Sequence, residues 1–224
     1  MTVSLLIMTL NEIDGMKKLM PKINPDWVDE IILVDGGSTD GTIQEAEKYG
    51  LKILHQQKKG HGAGILEGIE STSSDFVVIW APDGNHEPEE IPLLIEKSKE
   101  GFDQVIISRF GNGSINDDAN LLENFGNRMF AFLANAFFGG NYTDSLNESR
   151  IISRKAFDEL NFDAMKMNST QQLTIRGFKK RQKMAEIVGN EGERIGGKKK
   201  MTPLKVGANL SGDIIKEFIK WYKN

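Results

Sequence analysis

Glu30-Ile-Ile-Leu-Val-Asp-Gly-Gly-Ser-Thr-Asp-Gly-Thr42 is the stretch on which the reading of the fold turns. Glu30–Val34 (EIILV) is a short run of apolar residues without polar alternation, as in a strand covered on both faces. Asp35-Gly-Gly-Ser closes it, and Gly41–Tyr49 reads as a helix stopped by Gly50. The same strand–turn–helix unit recurs on either side. Val3–Met8 (VSLLIM) is a strand, followed by a helix over Asp14–Met20 that Pro21 ends. Leu51–Leu54 is a third strand, and Gly62–Ser71 a helix with Ile65, Leu66 and Ile69 on one face. Asp75–Trp80 (DFVVIW) is a fourth strand, and Pro88–Lys99 a helix with proline in its first turn. Asp103–Ser108 (DQVIIS) is a fifth strand. This alternation implies a parallel sheet with helices on both faces, an α/β fold.

The second half changes character. Leu121–Phe138 is a long apolar helix, and Arg154–Leu160 and Thr170–Lys180 are shorter ones. Lys183–Val188 reads as a strand, and the glycine- and lysine-rich residues 189–208 as a loop. Ser211–Tyr222 is an amphipathic helix with Ile214, Ile215, Phe218, Ile219 and Tyr222 on one stripe and Lys216, Lys220 and Lys223 beside it. Such a helix packs on its own domain more often than it lies on an anionic membrane. With 224 residues, no repeat and no dividing linker, the chain reads as one domain.

Composition removes several classes. There is no cysteine, which excludes disulfides, thiolate zinc sites, iron–sulfur clusters and a thiol nucleophile. The three histidines, His55, His61 and His86, are scattered. No apolar run approaches the ~20 residues of a membrane span. The start of the chain lacks the basic region of a signal peptide, so a cytoplasmic protein is expected. The net charge of −4 is uneven. Arg176 to Lys200 holds nine basic residues against three acidic, a surplus of six on an acidic body. Such a segment suits an anionic ligand, a phosphate or a membrane surface.

In open parallel sheets, ligands bind at the carboxyl ends of strands. Four polar clusters follow the first four strands: Thr9-Leu-Asn11-Glu12, Asp35 to Thr42, Lys58 to Gly64, and Ala81-Pro-Asp83-Gly-Asn85-His86. Each alone reads as a turn with a helix cap. Four in succession point to a ligand site. A dinucleotide fingerprint from Gly60 fails at Ile65, and a P-loop from Gly192 to Lys198 fails at Lys199. A helix-turn-helix over 154–181 is weak, and net acidity argues against a nucleic-acid partner.

The ordered set T-L-N-E, V-D-G-G-S-T-D-G-T, K-G-x-G-A-G and P-D-G-N-H-x-P-E resembles the inverting family 2 glycosyltransferases with the GT-A fold. It is most similar to the branch of dolichyl-phosphate mannosyltransferases and polyprenyl-phosphate glycosyltransferases. The likeness continues through Ser108-Arg109-Phe110, Thr143 to Arg150, Glu186-Ile187 and Arg194 to Lys198. It implies a Rossmann-like, mostly parallel sheet, with a C-terminal helical and loop extension. Residues 1–110 would be the nucleotide-sugar half and 111–224 the acceptor-side half of that one domain.

The resemblance also implies roles. Thr9, Asn11, Glu12, Asp35 and Ser38 would meet the nucleotide. Gly60, Gly62 and Ala63 would let it lie close to the backbone, with Lys59 near its phosphates. Asp83 and Asn85 would hold Mg²⁺ or Mn²⁺ against the diphosphate, although Ala81 stands where the family carries the first carboxylate of D-x-D. Asp144 would be the base for an acceptor hydroxyl, a role not needed for an already anionic lipid phosphate. Arg109, Arg128, Arg150, Arg194 and Lys198 would face the diphosphate or an acceptor phosphate, the last two on a lid loop.

The expected activity is transfer of a sugar from a nucleotide-diphosphate donor, a UDP-sugar ahead of GDP-mannose. The acceptor would be a hydroxyl or a polyprenyl phosphate in surface polysaccharide or glycolipid assembly, reached by peripheral contact at the inner membrane surface. The alternatives are a GT-A-like nucleotidyltransferase, whose glycine-rich signature after the first strand is absent here, or a non-catalytic nucleotide-sugar-binding protein, which Ala81 keeps open.

Overall fold

The computed structural model describes residues 1–115, 121–196 and 203–222. Among them, strands β1 (Val3–Thr9), β2 (Glu30–Asp35), β3 (Lys52–His55), β4 (Phe76–Trp80), β5 (Gln104–Ser108), β6 (Arg150–Ser153) and β7 (Met184–Val188) form one sheet. The order is β3-β2-β1-β4-β6-β5-β7. The helices are α1 (Ile13–Leu19), α2 (Thr42–Lys48), α3 (His61–Glu70), α4 (Glu90–Ser98), α5 (Leu121–Phe138), α6 (Arg154–Glu159), α7 (Ser169–Lys179) and α8 (Pro203–Tyr222).

Every residue of β1 is buried, because its alternate side chains serve two cores. Leu5 and Ile7 pack with Met16 and Leu19 of α1, Ala46 of α2, and Ile91 and Leu94 of α4. Leu6 and Met8 pack with Ile65 and Ile69 of α3, Phe157 of α6 and Leu173 of α7. The unbroken apolar runs seen in the sequence are therefore strands sandwiched between two helical layers.

The sheet is mostly parallel, as the resemblance implies, and a single strand runs the other way. β6 runs antiparallel to both β4 and β5 and separates them, so these two never pair. Its four residues are short, begin with an arginine and lead straight into α6, whose N-cap is Ser153. β5 and β7 are parallel, with Ile106 opposite Glu186 and Ser108 opposite Val188.

Helix α8 begins at Pro203, within the segment read as loop, with proline in the tolerated first turn. The helix packs on its own domain, as the sequence favoured. Leu210 and Ile214 meet Phe130, Ala134 and Phe138 of α5 and Ile175 of α7. Phe218 stacks obliquely on Phe137, with ring centroids 5.2 Å apart. The expected stripe is nevertheless split, for Ile215 and Ile219 are exposed. Leu122, Phe125 and Phe132 of α5 are exposed as well. Within the packed face sits Glu217, whose carboxylate takes the Arg176 guanidinium at 2.8 Å and the Lys179 ammonium at 2.8 Å. No helix among the described residues is long and apolar enough to cross a membrane.

Candidate functional site

The loops that leave β1, β2 and β4 at their carboxyl ends lie together, and residues 191–196, which follow β7, meet the first and the third of them. The first two are laced together by turn chemistry. Asn11 adopts a left-handed backbone conformation, φ 57°, which asparagine tolerates better than most residues. Its Oδ1 accepts from the Thr39 amide at 2.8 Å, and its own amide donates to Ser38 Oγ at 2.8 Å. Asp35 is buried and accepts from the amides of Gly37 at 2.9 Å and Ser38 at 3.1 Å. The Thr9 hydroxyl donates to the Val34 carbonyl at 3.3 Å. The Glu12 amide donates to Thr42 Oγ1 at 2.9 Å, which fixes the start of α1.

α1 is pressed onto the loop after β4, because a Cβ at Gly15 would run into the Pro82 carbonyl. That loop turns on Gly84, φ 92°, with Asp83 Oδ1 accepting from the Asn85 amide at 3.1 Å. Residues 191–196 lie directly over it. The Gly192 amide donates to the Asn85 carbonyl at 3.0 Å and the Ile195 amide to the Asp83 carbonyl at 2.7 Å. Arg194 then reaches two loops at once, with Nη1 2.8 Å from Asp83 Oδ2 and Nη2 paired with Glu12 Oε1.

The network continues sideways. Asn85 Nδ2 donates to Glu191 Oε1 at 3.1 Å. Glu191 also takes Arg109 Nη1 at 2.8 Å. Arg109 grips Asp144 in bidentate fashion, Nε to Oδ2 at 2.6 Å and Nη2 to Oδ1 at 3.1 Å. Asp144 Oδ1 further accepts from the amides of Leu146 and Asn147, each at 3.1 Å. Burial alone would raise the Asp144 carboxyl, but Arg109 outweighs it and holds it below the ordinary carboxylate range. Asp83 goes the other way. Burial and the neighbouring Glu148 push it up, against the opposing pull of Arg194.

The structure thus joins Glu12, Asp83, Asn85, Arg109, Asp144 and Arg194 in one continuous network, with Thr9, Asn11, Asp35 and Ser38 bracing the loops beside it. Other expectations fall elsewhere. Gly60 and Gly62 do give close backbone approach, but to protein: a Cβ on either would collide with the carbonyls of Met165 and Ala164, and the Ala63 amide donates to Met165 O at 3.2 Å. Gly62→Ala is therefore expected to cost about 1–3 kcal/mol of stability in the absence of nucleotide. A urea midpoint equal to wild type, with nucleotide binding weakened, would restore the cradle reading.

Arg150 is wholly buried, donates to Thr174 Oγ1 at 3.2 Å and is pulled down by burial to about 10, so it braces β6 rather than meeting a phosphate. Lys59 and Arg128 are exposed, Arg128 lying over the Phe110 ring at 5.2 Å. Lys198 lies outside the described residues. The sequence reading did not single out Glu191, though it is 3% exposed. Nor did it pair Glu148 with His61, 2.9 Å apart. Nothing in spacing links residues so distant in sequence.

The donor set does not suit the expected divalent ion. Hard cations take six or more oxygens. Here Asp83, Glu12 and Glu191 each already carry a guanidinium, and Ala81 offers no ligand. Among the described residues no group of three or more His, Cys, Asp or Glu is gathered as a metal site.

Residues 4–161 match glycosyl transferase family 2, and the chain belongs to that family. It is 28% identical to the glycosyltransferase AglJ of Haloferax volcanii over 159 residues, 69% of this chain and 51% of that protein. It is 36% identical to the dolichol-phosphate mannosyltransferase of Pyrococcus furiosus over 121 residues, 50% of this chain and 34% of that one. The chain therefore spans about half or less of the length of these relatives. The fold is that of the GT-A glycosyltransferases. Glucosyl-3-phosphoglycerate synthase from Mycobacterium tuberculosis, solved with Mn²⁺, UDP-glucose and phosphoglyceric acid, superposes with a TM-score of 0.74 at 22% identity, over 97% of this chain and 79% of that one. The same enzyme has been solved with Mg²⁺ and UDP.

Proposed function

We propose that this chain transfers a sugar, with inversion, from a nucleotide-diphosphate sugar, a UDP-sugar ahead of GDP-mannose, to a polyprenyl-phosphate acceptor in surface polysaccharide or glycolipid assembly. The observation that carries the reading is the convergence of Glu12, Asp83 and Arg194 from three separate loops at the carboxyl edge of the sheet. Such an edge is where α/β sheets bind nucleotides. The dolichol-phosphate mannosyltransferase among the relatives, and the UDP-glucose bound by the structural neighbour, point the same way.

In this reaction the anomeric carbon–oxygen bond to the diphosphate breaks as an acceptor oxygen bonds to the opposite face. The departing diphosphate takes the electron pair, and fixed cations stabilise it. Asp144 is reassigned from base to positioning residue. A carboxylate gripped by Arg109 and two amides, and held below its usual range, is a poor proton acceptor. A phosphate oxygen arrives deprotonated and needs no base, which favours the lipid phosphate over the hydroxyl.

A thermal-shift panel of UDP, GDP, CDP and dTDP tests the donor side, because a ligand that binds only the native state raises its melting temperature. UDP is expected to give the largest rise, and the absence of a rise with all four would end the proposal. The acceptor side predicts a peripheral bilayer contact through the exposed Phe125 and Phe132 of α5 and Ile215 and Ile219 of α8, with exposed Lys216 alongside. Wild type should float with anionic liposomes, and the Phe125→Glu/Phe132→Glu double variant should not. Equal flotation removes this surface from the membrane role.

A further inference from the structure

We infer that Arg194 supplies the counter-charge for the donor diphosphate in place of a divalent metal ion, so that this chain binds its nucleotide diphosphate without metal. The inference rests on the nucleotide-sugar reading above and goes beyond it.

Three observations carry it. The first is the position of the cation. Arg194 stands where two carboxylates from different strand-end loops converge, Asp83 after β4 and Glu12 after β1. A planar guanidinium with several fixed donors bridges two oxygen ligands without a coordination shell, and it keeps its charge at any working pH. The second is the composition of the site. Ala81 removes a carboxylate from the place where the resemblance requires one, and the carboxylates that remain beside it, Asp83, Glu12 and Glu191, are each already paired with a guanidinium and so are weak holders for a hard ion.

The third is how firmly the backbone presents that arginine. The Gly192 and Ile195 amides clasp the carbonyls of Asn85 and Asp83 at 3.0 and 2.7 Å. The Ile195 side chain covers Gly84, where a Cβ would lie 2.6 Å from Ile195 Cγ1. Arg194 is partly buried at 19% exposure, and its Nε–H is buried with no acceptor among the described residues. That donor remains for an oxygen of the ligand, since buried N–H groups are paired in the great majority of native sites. The other arginines of the network are committed elsewhere. Arg109 uses Nε, Nη1 and Nη2 on Asp144 and Glu191, and Arg150 is wholly buried.

Isothermal titration of UDP into the chain, once in EDTA and once with Mn²⁺, tests the inference without any variant. The two dissociation constants are expected to agree within about threefold, less than half a kcal/mol per factor of two. Arg194→Gln should weaken UDP binding in EDTA by about tenfold or more, and Arg194→Lys, which keeps the charge and loses the fork, by less. Binding that requires Mn²⁺ in the wild type overturns the inference and leaves the glycosyltransferase reading standing. An Arg194→Gln chain that binds UDP in EDTA as tightly as wild type also overturns it, for Arg194 would then only fasten the loop. If neither UDP nor GDP binds with or without metal, the nucleotide-sugar reading falls as well.

Discussion

Arg109→Ala is expected to lower the unfolding free energy by about 3–5 kcal/mol, the usual result of removing one partner from a buried ion pair. Arg109 holds two carboxylates that are almost fully buried, Asp144 at 1% and Glu191 at 3% exposure. Without the guanidinium Glu191 loses its paired cation, and Asp144 keeps only its longer-range interaction with Arg150. Asp144 keeps its two amide donors, but burial then dominates and its carboxyl moves up rather than down. The pH dependence therefore changes sign. In the wild type the Asp144 contribution is present above the ordinary carboxylate range and is lost as pH falls through its lowered value. In the variant, acid protonates the orphaned Asp144 and recovers stability. Urea midpoints at pH 7 and pH 5 read this directly, with the gap to wild type narrowing at pH 5. Asp144→Asn placed on the Arg109→Ala background should recover part of the loss, because the two sites are coupled. Equal midpoints at pH 7 would mean that the network has no energetic weight.

The same network shows what was legible in the sequence. Local signals held. Apolar runs marked six of the seven strands, and the polar clusters after β1, β2 and β4 lie together on one edge. Signals that depend on distant partners did not hold. Gly60 and Gly62 announce close approach, but a sequence does not say whether a nucleotide or the Ala164–Met165 carbonyls approach. β6 was invisible because four residues, RIIS, match no periodic template, and its insertion between β4 and β5 is a matter of topology. Asp144 looked like a free acid because its partner Arg109 lies 35 positions away.

The basic run from Arg176 to Lys200 also takes on a different meaning. Arg176 and Lys179 are neutralised by Glu217, with Asp163 assisting, and Arg194 is shared between Glu12 and Asp83. Much of what looked like a field for an external anion is internal pairing. One member of it, Arg194, sits at the strand edge, and the run meets the proposed donor through that single side chain.

Glu217→Ala should be the other large loss, again about 3–5 kcal/mol. An apolar stripe explains α8 only in part, for a carboxylate 5% exposed sits among its packing residues. Glu217 accepts from Arg176 through Nε at 3.0 Å and Nη2 at 2.8 Å, and from Lys179 Nζ at 2.8 Å. Its removal strands two cations against the α7–α8 seam. Arg176 retains Asp163, which is mostly exposed and so a weaker partner. The first consequence is undocking of α8 and uncovering of Phe130 and Phe138, which pack against it. Limited proteolysis should cut the variant within residues 203–222 at protease levels that leave the wild type whole. Acid should mimic the substitution. Burial alone would raise the Glu217 carboxyl, but its hydrogen bonds from Arg176 and Lys179 hold it below the ordinary range. Its contribution is thus complete above the unfolded value of about 4.3 and declines as pH falls through the lower folded one. A variant as resistant to protease as the wild type would show that Leu210, Ile214 and Phe218 hold α8 in place without the charged pair.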